Sequence, residues 1–185
     1  MAMRRFPIFI ATLVAMALAI VSCGDDDNTW DDYAEYRQAN IDWLQQQYEK
    51  KDASGKPVYT MIRPTWDQGS YVLIRYFNDT MLTKDNPKPF LTSTVDVKYH
   101  GSLYDGTPFD SSYLRTAPAD SIYRTKLTDV VGGWVIALTN MHEGDSCEVI
   151  IPCEQGYGSI ERTGIPPYSA LVFGIKLVDI YKQEK

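Results

Sequence analysis

Five side chains of this 185-residue sequence have the chemistry of nucleophiles, metal ligands or redox partners: three cysteines and two histidines. Their spacing limits what they can do. His100 and His142 are far apart and neither has a second candidate ligand nearby in the chain, so no zinc pattern is present and no metal or cofactor is expected. Cys147 and Cys153 both fall in CEVIIPC, which reads as one strand. Extended chain would hold their alpha carbons about 20 Å apart, whereas a disulfide needs less than about 7 Å. They are expected as two buried free thiols. Charge narrows the partners further. Acidic residues outnumber basic ones 24 to 18, for a net charge of −6. Residues 1 to 22 contain two arginines and no acid, so without them the charge is −8. Such a surface repels phosphate, and with no basic stripe nucleic acid is not an expected partner.

The elements that would position any chemistry follow from patterning. Thr29 to Lys51 reads as a helix, with Thr29-Trp30-Asp31-Asp32 as a capping box and Lys50-Lys51 at its end. Ala34, Ile41, Leu44 and Tyr48, with Trp30, Tyr33 and Trp43 nearby, give it an apolar side. Such a helix can dock on its own domain, on a partner or on a membrane surface, although its acidity argues against anionic lipid. Ser54-Gly55-Lys56-Pro57 breaks it. Pro57–Trp66 and Tyr71–Phe77 read as strands around an Asp67-Gln68-Gly69 turn. Asp79–Thr92 is a polar loop, and Thr94–Leu103 alternates as a half-buried strand. After an Asp105-Gly106 turn, Thr107–Ser112 continues outward. Val130–Asn140 is a short helix, followed by strands at Ser146–Pro152 and Ala170–Tyr181. Five or six strands around one short helix predict an α+β domain.

Three phrases then decide the family. VDVKYHGSLYDGTPFDSS, VVGGWVIALTNMHEGDSCEVIIPCEQGYG and GIPPYSALVFGIKLVDI occur in this order between Val95 and Ile180. Together they resemble the FKBP-type peptidyl-prolyl cis-trans isomerases, over roughly the C-terminal 115 residues. The resemblance implies an antiparallel half-barrel wrapped on one short helix, with an apolar slot for a proline ring. Matched motif by motif, it also implies site residues. Tyr99 and Phe109 form walls, Asp110 is their polar partner, and Trp134 is the floor. Val130 and Val131 precede the helix, with the Val131 N–H binding a substrate carbonyl. Tyr157 offers its hydroxyl, Ile165 borders the mouth and Phe173 closes the far wall.

The chemistry of such a slot needs no nucleophile. Rotation about a peptide bond must break amide resonance, a barrier of about 18 to 20 kcal/mol, and a site that binds the twisted amide better than either planar form lowers it. Three departures from the family pattern stand out. In IYRTKL, Tyr123 matches one member of an aromatic pair while Thr125 replaces the other, so that wall is open or polar. Tyr113–Ser121 is a longer bulge than compact members carry. The loop Ser159–Gly164 lacks an apolar residue common before the GIPP-like phrase.

The N-terminus addresses location. Arg4 and Arg5 precede an apolar run from Phe6 to Val21, shorter than the ~20 residues of a spanning helix, in the pattern of a secretory signal peptide. Ser22-Cys23 resembles a bacterial lipobox, which implies lipidation of Cys23 and attachment to a membrane through its acyl chains. Gly24-Asp25-Asp26-Asp27-Asn28 reads as a solvated tether and looks like the surface-export signal of Bacteroidetes lipoproteins, or is a plain spacer. The organisation expected is a signal peptide over 1–22, an acidic tether over 23–28, a helix-and-strand extension over 29–68 and the isomerase-like domain over 69–185. The location expected is the cell envelope, on the outer membrane, facing periplasm or cell surface. Expected partners are proline-containing polypeptides of the envelope, and macrolide-type inhibitors. Two alternatives remain open: a catalytically weak chaperone or peptide-binding module, and a surface lipoprotein that binds glycan or nutrient.

Overall fold

The computed structural model describes residues 29–115 and 120–181. The signal peptide, Cys23 and the acidic tether expected from the sequence lie outside the described residues, as does the middle of the bulge after Tyr113. Helices α1 (Thr29–Asp32) and α2 (Ala34–Glu49) come first. Then follow β1 (Thr60–Ile62), β2 (Val72–Tyr76), β3 (Thr94–Leu103), β4 (Pro108–Ser111), α3 (Ser112–Arg115) and β5 (Tyr123–Lys126). The chain closes with α4 (Gly132–Leu138), β6 (Ser146–Ile151) and β7 (Leu171–Ile180).

The strands form one antiparallel sheet in the order β1-β2-β6-β7-β3-β4, with β5 also paired to β3. Six of its strands belong to the expected domain, and β1 comes from the extension. Alternation along β3 sends Val95, Val97, Tyr99 and Leu103 to the interior, as a pleated strand requires. There they meet Ile136, Ala137 and Leu138 of α4 and the inner faces of β2, β6 and β7. Gly133 lets α4 lie this close, because a Cβ at that position would fall 2.3 Å from the Ile151 side chain.

One edge of β3 is shared. β5 pairs with Thr94–Val97 and β4 with His100–Ser102, so the chain leaves the sheet between them. At that gap the Tyr99 N–H donates to Ser112 Oγ at 3.0 Å, which keeps a buried donor satisfied where no strand can.

The N-terminal helix covers the other face of the sheet. Trp43 and Leu44 pack on Tyr59, Leu73 and Ile150, so β2 and β6 are buried on both sides. Buried Asn40 accepts the Ala170 N–H at 2.9 Å, and the Tyr36 and Ser169 hydroxyls share a hydrogen bond at 2.8 Å. Trp30 meets Tyr168 edge-on, and Tyr36 and Trp43 both meet Tyr104.

Several expectations need correction. The single helix over Thr29–Lys51 is broken at Tyr33, and α2 starts there without a side-chain cap, so the box at Thr29 does not begin the main helix. Its expected apolar side is only partly covered: Trp43 and Leu44 pack on the sheet, while Ile41 and Tyr48 remain half exposed. The strand expected over Pro57–Trp66 shrinks to three residues, because neither Pro57 nor Pro64 has an N–H to give the ladder. Cys153 is not on the strand with Cys147. Pro152 ends β6, and Cys153 opens a 3-10 turn in a half-buried position.

Candidate active site

Ten residues were expected to form a slot, and all ten line one cleft of about 600 Å³. They arrive from separate elements: Tyr99 from β3, Phe109 and Asp110 from β4, Tyr123 from β5, and Phe173 from β7. Val130 and Val131 lie in the extended approach to α4, and Trp134 is in its first turn. Tyr157 follows the 3-10 turn Cys153–Gln155, and Ile165 sits in a tight turn closed by hydrogen bonds to and from Arg162.

The floor is a set of rings packed edge to face. Trp134 meets Tyr99 with centroids 5.0 Å apart and Phe173 at 5.3 Å, while Phe109 meets Phe173 at 5.4 Å and Tyr99 meets Tyr123 at 5.5 Å. Such geometry sets the positive edge of one ring against the negative face of the next. Gly101 makes room for it. A Cβ there would lie 2.7 Å from the Phe173 ring and 2.8 Å from that of Phe109. Tyr99, Trp134, Ile165 and Phe173 are buried, while Phe109, Val130, Val131 and Tyr157 are partly open to the cleft.

Polar groups divide into engaged and available. Asp110 accepts the Tyr99 hydroxyl at 2.8 Å and the Ser111 N–H at 2.7 Å, so its carboxylate fixes the β3–β4 wall. Among the described residues, the Tyr157 hydroxyl and the Val131 N–H have no partner, and both border the cleft. Two donors beside an apolar floor are able to bind two carbonyl oxygens of an extended peptide.

Three residues of the lining were missed by sequence reasoning: Asp129, Arg162 and Thr163. The Arg162 guanidinium stands 5.6 Å from the Tyr157 ring centroid. A charged ERTG stretch immediately ahead of GIPP was the available signal. Thr125 does not line the cleft. It is buried and its hydroxyl bonds the Lys126 carbonyl at 3.3 Å, leaving Tyr123 without an aromatic companion on that strand. Neither remaining cysteine is placed to react. Burial, with Asp145 nearby, pushes the Cys147 thiol up to about 12, and burial beside Glu154 does the same for Cys153. Both stay protonated at neutral pH.

Comparison with known proteins gives a consistent picture. The family model for FKBP-type peptidyl-prolyl cis-trans isomerase matches residues 86–178. The chain is similar to the FKBP-type peptidyl-prolyl cis-trans isomerase FkpA of Escherichia coli strain K12, at 40% identity over 89 residues, which is 48% of this chain and 32% of that protein. The FKBP-type 22 kDa peptidyl-prolyl cis-trans isomerase of the same organism is 44% identical over 95 residues, covering 50% and 43% of the two chains. The chain thus spans between about a third and less than half of the length of these curated relatives. Among solved structures, a peptidyl-prolyl cis-trans isomerase from Pseudomonas syringae pv. tomato superposes with a TM-score of 0.62 at 26% identity, over 80% of this chain and 95% of that one.

Proposed function

The chain belongs to the FKBP-type peptidyl-prolyl cis-trans isomerase family, and from that premise we propose that it catalyses rotation about X-Pro bonds of exported polypeptides. The observation that carries this reading is the edge-to-face floor beside two donors that have no partner among the described residues. A twisted amide loses conjugation between nitrogen and carbonyl and so becomes less polar as a unit. An apolar, water-poor cleft therefore favours it over either planar form. In this reading Trp134 supports the proline ring, with Tyr99, Phe109 and Phe173 as walls. Val130, Ile165 and Tyr123 bound the mouth. The Val131 N–H and the Tyr157 hydroxyl hold substrate carbonyls while the bond turns. No covalent bond forms or breaks, so no nucleophile is needed. The same cleft would receive a macrolide-type inhibitor. Isomerisation of a Leu-Pro tetrapeptide by the purified protein tests the proposal, and lack of any acceleration over the uncatalysed rate would refute it.

The missing ring at Thr125 supports a second reading, a peptide-binding module with slow turnover. Tight peptide binding combined with a rate near the uncatalysed one would select it. For location, we propose a signal peptide over 1–22, acylation of Cys23 and a tether over 23–28, which would place the domain on the outer membrane. A bound lipid on the mature protein, lost in Cys23→Ala, is the expected result.

A further inference from the structure

A second concavity, of about 780 Å³, lies between α2 and the segments that flank β1 and β6. Its walls are mostly apolar, and they include large side chains that α1 and α2 leave uncovered: Trp30 is 58% exposed, Ile41 51% and Tyr48 49%. Two guanidiniums sit in this lining on aromatic faces. Arg37 stands 3.3 Å from the Trp30 ring centroid, and Arg63 stands 5.4 Å from that of Tyr71. Among the described residues neither has a carboxylate within ion-pair distance. Each guanidinium also donates to a backbone carbonyl, Arg37 to that of Trp30 and Arg63 to that of Gln68. One carboxylate, Glu154, shares the lining, so the trough keeps a net positive charge that is complementary to a segment carrying both apolar side chains and carboxylates.

The groove and the aromatic cleft share one loop. Tyr157 lines the cleft and Gly158, the next residue, lines the groove; at the far end of the same loop Ile165 lines the cleft and Tyr168 the groove. Consecutive alpha carbons are about 3.8 Å apart, so the two linings meet along this loop. We infer that the groove holds the stretch of client polypeptide flanking the proline seated in the cleft, and that it selects stretches combining aromatic or aliphatic residues with acidic ones. This inference rests on the isomerase reading of the cleft and adds a second, separate contact to it. Its expected effect is avidity, since a flanking segment that binds in the groove keeps the proline at high local concentration over the cleft.

The test uses the full chain, Ile41→Glu, and the double variant Arg37→Gln/Arg63→Gln. The probes are a Leu-Pro tetrapeptide and 12-residue peptides with the same Leu-Pro core, carrying Phe-Glu-Leu-Glu before or after it. Matched peptides carry Ser-Gly-Ser-Gly in place of that tail. The apolar acidic tail, on one side of the proline, should raise kcat/KM about tenfold over its control. Ile41→Glu should abolish this advantage. The double variant should reduce it by about two- to fivefold, and only when the tail carries Glu rather than Gln. The tetrapeptide rate and the Tm should be unchanged, because Ile41 is half exposed and outside the cleft. Absence of a tail advantage in the unmodified protein, or its survival in Ile41→Glu, overturns the inference. So does a dimer that Ile41→Glu converts to monomer while the tail advantage persists, which would make a second copy the occupant. If the tetrapeptide is not turned over, the isomerase reading fails by itself. Binding of the tailed peptides, followed by fluorescence anisotropy, then decides the groove by the same comparison of variants.

Discussion

At the residue scale, Trp134 and Asp110 perform different work and should fail differently. Trp134 contacts Tyr99 and Phe173 and is buried. Trp134→Ala opens a cavity that costs about 3 to 5 kcal/mol of stability, so Trp134→Leu, which retains more volume, is the cleaner probe of the floor; its kcat/KM should fall while the protein stays folded. Asp110→Ala leaves the Tyr99 hydroxyl without this acceptor, so activity and Tm should both decline, by about 0.5 to 3 kcal/mol for one hydrogen bond. Tyr157→Phe separates the two effects. Its hydroxyl has no partner among the described residues, so kcat/KM should drop with Tm unchanged, and an unchanged rate would remove Tyr157 from the mechanism. Isomerase rates measured alongside thermal unfolding distinguish these outcomes. The thiols give a second check. Because burial raises both, native protein at pH 8 should react slowly with iodoacetamide, Cys147 more slowly than half-buried Cys153, and both should be modified once unfolded. Rapid labelling of native Cys147 would contradict its burial. The aromatic residues of the cleft were legible because each lies inside a phrase with its own register. Asp129 and Arg162 were not, since an exposed charge in a loop has no periodicity to mark it.

At the element scale, the strands that alternate most regularly were legible to their ends: β3 has the expected bounds and β7 differs by one residue at each terminus. The helix α2 was legible as a helix but not in how it docks. Its apolar stripe suggested burial of Ile41 and Tyr48, yet the buried residue is Asn40. The reason lies in its partner surface, which presents the Ala170 N–H and the Ser169 hydroxyl and so demands polar groups that a search for apolar spacing cannot find. A prediction follows for this contact. Asn40→Ala strands the buried Ala170 N–H and should cost about 1 to 3 kcal/mol, visible as a lower midpoint in urea. The cleft should survive it, because all ten expected residues come from Tyr99 onward. Macrolide binding with unchanged affinity in Asn40→Ala would establish that independence; loss of binding in the folded variant would show that α2 shapes the cleft through the 168–170 segment.

At the scale of the whole molecule, the turns share a dependence on ionised carboxylates. Asp52 accepts the Ser54 and Lys56 N–H groups after α2, Asp67 accepts the Gly69 N–H between β1 and β2, and Asp105 accepts the Thr107 N–H between β3 and β4. Side-chain hydrogen bonds from Ser54 and Ser70 hold Asp52 and Asp67 below the ordinary carboxylate value of 3.8, and the backbone N–H of Thr107 does so for Asp105. Since the folded state binds these three protons less readily than the unfolded chain, their stabilising effect is present above 3.8 and is lost as pH falls through the lower folded values. Below the isoelectric point of about 4.9 each further protonation also adds net positive charge, which reinforces the loss. A triple Asp→Asn variant isolates the two contributions, because Asn keeps an acceptor oxygen in each turn but does not titrate. Between pH 5 and pH 2.5 the Tm of the unmodified protein should fall more steeply than that of the variant, while near pH 7 the unmodified protein should be the more stable. Parallel curves across this range would mean that the turns are held by geometry alone, with the ionised carboxylates contributing nothing that Asn does not.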